Sequence, residues 1–171
     1  KSFVPSSPDR ILGLVQDYKR WSGNLPRSVL VGTGHVRYAT SGSPSLIENA
    51  QPLIIPSRFG PFTLAHNGDT PGFEEKRLQL QQRGVKFLST SDTEVLGESI
   101  AMQTEGAETL QEAMLEVLAG FQGAFSLVMS TASALIGCRD ALGYRPLCLG
   151  RLGEGWVLAS ETCALQILRA E

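Results

Sequence analysis

FTLAHNGD, residues 62–69, opens with four residues that read as a strand and then meets Asn67-Gly68. Asn-Gly between two alternating runs is the strongest short hairpin signal. A hairpin needs a second strand directly after the glycine. Here Asp69-Thr70-Pro71-Gly72 follows, and then the charged run Phe73-Glu74-Glu75-Lys76. Pro and Gly are poor ladder residues. The pair therefore ends a strand without returning it. A chemical reading stands beside the turn. The Asn67 side-chain amide and the Gly68 N–H can converge on one point, and glycine leaves room there for a ligand. Two converging donors are what an oxyanion needs when a carbonyl is attacked.

Outward from this stretch, the pattern alternates strands with blocks of helix. Residues 29–36 read as a strand whose glycines suggest close backbone approach. Residues 38–52 read as loop, and residues 11–21 as a short helix or a strand plus turn. Residues 73–84 predict a surface helix ended by Gly84. Ser91-Asp92-Thr93-Glu94 has capping-box spacing and starts a helix to about Gln103. Thr109-Leu110-Gln111-Glu112 repeats the pattern before a broad apolar stripe through Phe121. Strands are predicted at Ala124–Met129, Ala134–Cys138, Leu147–Leu149 and Trp156–Ala159. A last helix starts near Ser160-Glu161 and runs through Ile167. Strands, consecutive helices, then strands argue for α+β with antiparallel sheet and no βαβ alternation.

The chain has 171 residues, read as one domain over residues 1–171. Hydrophobic residues make up 42% and charged residues 19%, an ordinary globular balance able to bury a core. A net charge of −2 gives no reason to expect nucleic acid or an anionic membrane as partner. No apolar run approaches the roughly 20 residues of a membrane span. The three cysteines, Cys138, Cys148 and Cys163, are odd in number and lack CxxC spacing. They indicate a reducing compartment without disulfide framework or zinc site. No signal peptide opens the chain, and no GxGxxG, P-loop or HExxH motif occurs.

The Asn-Gly signal needs companions. Gly34-His35-Val36-Arg37-Tyr38 supplies a guanidinium that can fork onto a carboxylate. Thr90-Ser91-Asp92-Thr93-Glu94 supplies a carboxylate that can hold an ammonium group. Together with an oxyanion hole, that set would grip an amino acid by its head and present its side-chain carbonyl. Taken singly, Arg37 reads as a surface arginine, and Asp92 as a residue favoured at the positive end of a helix. His35 and His66 read as satisfied core histidines rather than general bases.

The blocks GHVRYATSGS, ENAQPL, LAHNGD, STSDTEVL, GAFSLVM and CRDALGYRPLCLG followed by WVLASETCAL occur in an order that resembles the class II glutamine amidotransferase domain. That family is one of N-terminal-nucleophile hydrolases, and within it the last two blocks resemble the amidophosphoribosyltransferase branch. The resemblance covers nearly the whole chain from about Leu12. It implies a four-layer αββα sandwich of two antiparallel sheets between helix layers. It implies that Arg37 binds the α-carboxylate of glutamine with Thr40 lending a hydrogen bond. Asp92 would then bind the α-ammonium, and Asn67 and Gly68 would form the oxyanion hole. The ammonia released would attack phosphoribosyl pyrophosphate in a phosphoribosyltransferase domain, as in purine synthesis.

Other expectations follow from the resemblance: no cofactor in this stretch, Mg in the phosphoribosyltransferase domain, a homo-oligomer and a cytoplasmic location. The family's nucleophile is a cysteine at the mature N-terminus, and this chain starts at Lys1. The expectation is thus a partial domain, incomplete at the N-terminus, inactive as a glutaminase by itself and short of independent stability. Substitution by an internal cysteine is disfavoured, since an activated thiolate needs an electropositive, partly open setting. The alternatives are the glutaminase domain of another class II amidotransferase and a non-catalytic amino-acid-binding domain.

Overall fold

The computed structural model describes residues 31–36 and 46–171. The readings at residues 1–30 and 38–45 lie outside the described residues, as do the candidate residues Arg37 and Thr40. Among the described residues the elements are β1 (Leu53–Ile55), β2 (Phe62–Asp69), α1 (Phe73–Gln82), α2 (Asp92–Gln103), α3 (Leu110–Ala119), β3 (Ala124–Ser130), β4 (Leu135–Arg139), β5 (Cys148–Leu152), β6 (Gly155–Ala159) and α4 (Thr162–Leu168). A short 3-10 turn spans Ile47–Asn49. β1 to β4 form one antiparallel sheet in sequence order, and β5–β6 a second.

FTLAHNGD is one unbroken strand. β2 does not stop at Ala65: its pairing with β3 runs from Thr63↔Ser130 through Asn67↔Ser126 and Gly68↔Phe125 to Asp69↔Ala124. The hairpin of β2 lies on its other side. Leu53, Ile54 and Ile55 pair back onto Leu64, Thr63 and Phe62 across a turn closed by Gly60 N–H to Ser57 carbonyl at 3.0 Å. β1 is a branched apolar run between two prolines, too short to carry a period of its own.

Alternation along the strands separates two faces. Phe62 and Leu64 of β2, and Phe125, Leu127 and Met129 of β3, enter one core with Leu96 and Ile100 of α2 and Leu110 and Met114 of α3. Fully burying such a side chain contributes about 1.5–3 kcal/mol. On the opposite face Gly137 of β4 meets Leu158 of β6, and Ser126 Oγ donates to the Arg145 carbonyl at 2.9 Å. Leu165 of α4 then lies against Gly150 of β5. The layers run helices, four-stranded sheet, two-stranded sheet, helix: the αββα order.

Both helix starts behave as caps, with one difference from expectation. Thr109 accepts from the Glu112 N–H at 3.1 Å, while Glu112 Oε2 accepts from the Glu108 N–H at 2.7 Å. Ser91 caps Thr93 N–H at 3.1 Å. Glu94, however, turns back onto the preceding loop and accepts from Leu88 N–H, Ser89 N–H and Ser89 Oγ. The capping box at Ser91 is therefore not reciprocal, because the loop offers Glu94 three donors.

Residues 31–36 form no strand, correcting the strand reading there. An added Cβ at Gly32 or Gly34 would meet nothing within 4 Å, so those glycines do not mark close backbone approach among the described residues. Close approach occurs instead at Gly97. A Cβ there would meet Ile55 Cγ1 at 2.8 Å and Leu64 Cδ2 at 3.5 Å, so α2 rides directly on β1 and β2.

A Gly97→Val substitution in the full-length protein is expected to lower stability by about 1–3 kcal/mol through overpacking. Leu115→Ala, on the 59% exposed side of α3, is expected to stay within about 0.5 kcal/mol. Denaturant midpoints of the two variants check the contrast; equal shifts would refute the close approach.

Candidate functional site

The last three residues of β2 and the first turn of α2 meet at one end of the large sheet. Asp92, buried at 3% exposure, accepts the Thr70 N–H on Oδ2 at 3.1 Å. Its other oxygen lies 3.4 Å from Thr93 Oγ1 and 3.5 Å from Ser91 Oγ. His66 Nδ1 stands 3.9 Å from Asp92 Oδ2 and 3.3 Å from Thr93 Oγ1. The sequence-predicted Asp92 is thereby held at the strand end that carries Asn67 and Gly68. Arg37 and Thr40 lie outside the described residues.

The two oxyanion candidates are placed by strand geometry. Asn67 is half-buried and, by alternation, on the face toward β5–β6, whereas His66 and Gly68 are on the helix face. Gly68 opposes Phe125. Phe125 gives its N–H to Asp140 Oδ2 at 3.3 Å and takes the Asp140 N–H on its carbonyl at 2.9 Å. Both backbone groups of Phe125 thus point toward β4. The facing N–H of Gly68 points the other way, as His66 N–H does, to the edge β1 leaves uncovered before Leu53. A Cβ at Gly68 would collide with the Ala124 carbonyl and His66 Nε2 and lie 2.9 Å from Phe125 Cα. No side chain larger than hydrogen fits without moving backbone.

Four polar side chains hold the approach to Asp92; sequence reasoning singled out only Glu94 among them, and that as a capping residue. Asn49, fully buried, accepts the Thr90 N–H at 2.8 Å and donates to Thr90 Oγ1 at 2.9 Å. Arg77 of α1 donates to the Ser89 and Ser91 carbonyls, both at 2.9 Å, with its guanidinium 4.2 Å from the Phe87 ring centroid. Burial draws the Arg77 pKa down, while Glu94, Asp92 and Glu74 pull it up. Glu94 gathers the donors of Leu88 and Ser89. Gln51 accepts the His66 N–H at 2.6 Å and donates to Thr93 Oγ1 at 2.9 Å. Asn49 and Gln51 lie in ENAQPL and Glu94 in STSDTEVL, blocks recognisable as a set but without a period or charge pattern that names the individual residue.

His66 is a core histidine, 5% exposed, but not the fully satisfied one expected. Burial pushes its pKa below the ordinary 6.5, outweighing Asp92 and Asp69, which raise it; Arg145 lowers it further. Its Nε2 is buried without a hydrogen-bond partner. Among the cysteines, Cys138 faces the helix-side core and burial raises its thiol pKa, the opposite of nucleophile activation. Cys163 is exposed on α4.

The His66 shift has a signed consequence. The unfolded chain takes up a proton on this ring from about pH 6.5 downward, before the folded chain does. The stability held by neutral His66 is full above that pH and is lost as pH falls toward the depressed folded value, at up to about 1.4 kcal/mol per pH unit. His66→Gln is expected to flatten this slope. Unfolding midpoints of both full-length proteins at about pH 7.5 and about pH 5.5 check it; parallel losses would refute the buried neutral ring.

Residues 35–167 match the family described as glutamine amidotransferase domain. The amidophosphoribosyltransferase of Synechocystis sp. is 43% identical over 148 residues, covering 82% of this chain and 30% of the relative. The chloroplastic amidophosphoribosyltransferase 2 of Arabidopsis thaliana is 40% identical over 176 residues, covering 98% of this chain and 30% of its own length. A solved structure of the glutamine phosphoribosylpyrophosphate amidotransferase from B. subtilis, complexed with ADP and GMP, superposes with a TM-score of 0.70 at 38% identity. That superposition covers 80% of this chain and 29% of the solved one. The chain therefore spans about 30% of the length of the curated relatives it matches. With the family matched across most of its length and the αββα layers in place, the chain belongs to the glutamine amidotransferase domain family.

Proposed function

We propose that this chain is the glutaminase domain of an amidophosphoribosyltransferase, releasing ammonia from glutamine for transfer to phosphoribosyl pyrophosphate. The observation that carries the reading is the strand end itself: a buried carboxylate at Asp92 beside a strand whose Gly68 N–H is aimed off the sheet. The names of the relatives support the acceptor. No separate observation favours another class II amidotransferase or a non-catalytic binder.

The residues then divide the work. Arg37 pairs with the substrate α-carboxylate, and Thr40 adds a hydrogen bond. Asp92 holds the α-ammonium. Fixing both ends of the amino-acid head converts the attack on the side-chain amide into a positioned step. The thiolate adds to the amide carbon, and the carbonyl oxygen takes up negative charge. Asn67 and the Gly68 N–H receive that charge; a backbone donor fixed by strand pairing, as at Gly68, needs no reorganisation as it develops. Collapse of the tetrahedral species, with a proton delivered to nitrogen, expels ammonia and leaves a thioester that water hydrolyses to glutamate. The thiolate belongs, as the family resemblance implies, to a cysteine bearing a free α-amine; Cys138, partly buried against the core with its thiol pKa raised, does not suit that role. Mg is assigned to the acceptor domain, and no step here runs through it. A homo-oligomer and a cytoplasmic or plastid location belong to the same reading; no helix among the described residues is long and apolar enough to cross a membrane.

In the full-length protein, Asn67→Ala is expected to lower kcat for glutamine hydrolysis by about 10²–10³. Asp92→Asn is expected to raise KM for glutamine, at a cost of about 2–5 kcal/mol if the pair is buried. Phosphoribosylamine formation from added ammonium salt is expected to stay at the wild-type rate in both. Glutamate release measured alongside ammonium-driven turnover checks this; undiminished hydrolysis in Asn67→Ala would overturn the oxyanion assignment.

A further inference from the structure

We propose that Gln51 and Thr93 are positioning residues that set the separation between the amide donors at Asn67–Gly68 and the carboxylate of Asp92. The inference rests on the reading of Asp92 and Asn67–Gly68 given above.

The tie is a short chain of directional contacts. β1 begins at Leu53, so its ladder with β2 stops at the Leu53–Leu64 pair. The next N–H on that edge of β2 belongs to His66, and the Gln51 side chain receives it on Oε1 at 2.6 Å. The other end of the same amide donates to Thr93 Oγ1 at 2.9 Å. Thr93 is completely buried. Its hydroxyl lies 3.4 Å from Asp92 Oδ1 and 3.3 Å from His66 Nδ1. A hydroxyl has one proton and two lone pairs. It accepts from Gln51 and passes its proton to Asp92 or His66. One glutamine thus joins the residue beside Asn67 to the residue beside Asp92.

At the strand end the Thr70 N–H also bonds Asp92 Oδ2 at 3.1 Å; farther along α2 the contact with β1 and β2 is apolar, with Gly97 against Ile55 and Leu64. Apolar contact holds the helix on the sheet without fixing its position along the strand, since burial is non-directional. Hydrogen bonds fall off within a few tenths of an ångström and with angle. The Gln51–Thr93 tie, together with the Thr70 bond to Asp92, therefore supplies the register that packing does not. A ligand bound at both ends feels that register directly, because a displacement near 1 Å can cost about 10²-fold in rate.

The test compares two substrates in the full-length protein: glutamine, and glutaramic acid, which is glutamine without its α-amine. Asp92 can act only on the first. The ratio of their kcat/KM values therefore reads the Asp92–ammonium contact, and a general loss of structure cancels from it. Asp92→Asn is expected to collapse the ratio. Gln51→Met and Thr93→Val are expected to lower it by roughly tenfold or more, and Thr93→Ser, which keeps the hydroxyl, to hold it near wild type. If Gln51→Met does not fold, the Thr93 pair of variants decides. Equal losses on both substrates in Gln51→Met and Thr93→Val would make the tie merely structural and overturn the inference while Asp92 keeps its role. An unchanged ratio in Asp92→Asn would remove the ammonium reading and the inference with it.

Discussion

Asp140 takes the Phe125 N–H on its carboxylate and returns its own N–H to the Phe125 carbonyl. Its carboxylate also accepts from Leu142 and Tyr144 N–H. Burial alone would raise its pKa, but the backbone N–H groups of Tyr144, Phe125, Arg145 and Leu142 hold it below the ordinary value. This exchange fixes which way Phe125 points. Because strand pairing alternates, it also fixes that the Gly68 opposite points its N–H outward. A buried backbone group must be paired somewhere. At Gly68 that donor lies, among the described residues, on the side of β2 beyond the reach of β1.

The same strand end explains why so many polar side chains are buried there. Asn49, Glu94, Asp92 and Thr93 are all below 6% exposure. Burying them unpaired would cost more than the surrounding apolar contacts return, so each is bonded to backbone or to another of the group. Such a network specifies one arrangement where apolar packing admits several close ones. The loop of residues 88–91 has little apolar content, and the Leu88 side chain is 84% exposed. It is held by Arg77 from one side, Glu94 from another and Asn49 from a third. Order in this loop comes from Glu94 close by and from Arg77 and Asn49, donated by segments farther away in sequence.

That origin also decides what was legible in advance. α3 was readable because a Thr109 cap precedes an apolar stripe at helical spacing, both local signals. β3 and β6 were readable from β-branched and aromatic runs between turns. The refusal of Asn67-Gly68 to act as a hairpin followed from Pro71 and Gly72 behind it. Its continued pairing through Asp69 did not, because a strand containing Asn and Gly is set by its partner, Ala124 to Ser126, not by propensity. Asp92 was legible as a candidate from its capping context and from the family resemblance. Gln51 was not, because its side-chain carbonyl stands in for a ladder acceptor beyond the Leu53 end of β1, and nothing near it in sequence shows where His66 will lie. Of the strand expected at residues 29–36, residues 31–36 form none.

The protonation of His66 completes the electrostatics of the proposed site. Two charges about 4 Å apart attract by about 4 kcal/mol at an effective dielectric near 20. Were His66 charged, its ring 3.9 Å from Asp92 would answer that carboxylate from within the fold. A substrate ammonium would then meet a pair already neutralised. Burial keeps the ring neutral, and it does so against the pull of Asp92 and Asp69. The ring still fills the space beneath Gly68 and offers Nδ1 to Thr93. His66 thus supports the strand as a shape and withholds itself as a charge beside the Asp92 carboxylate.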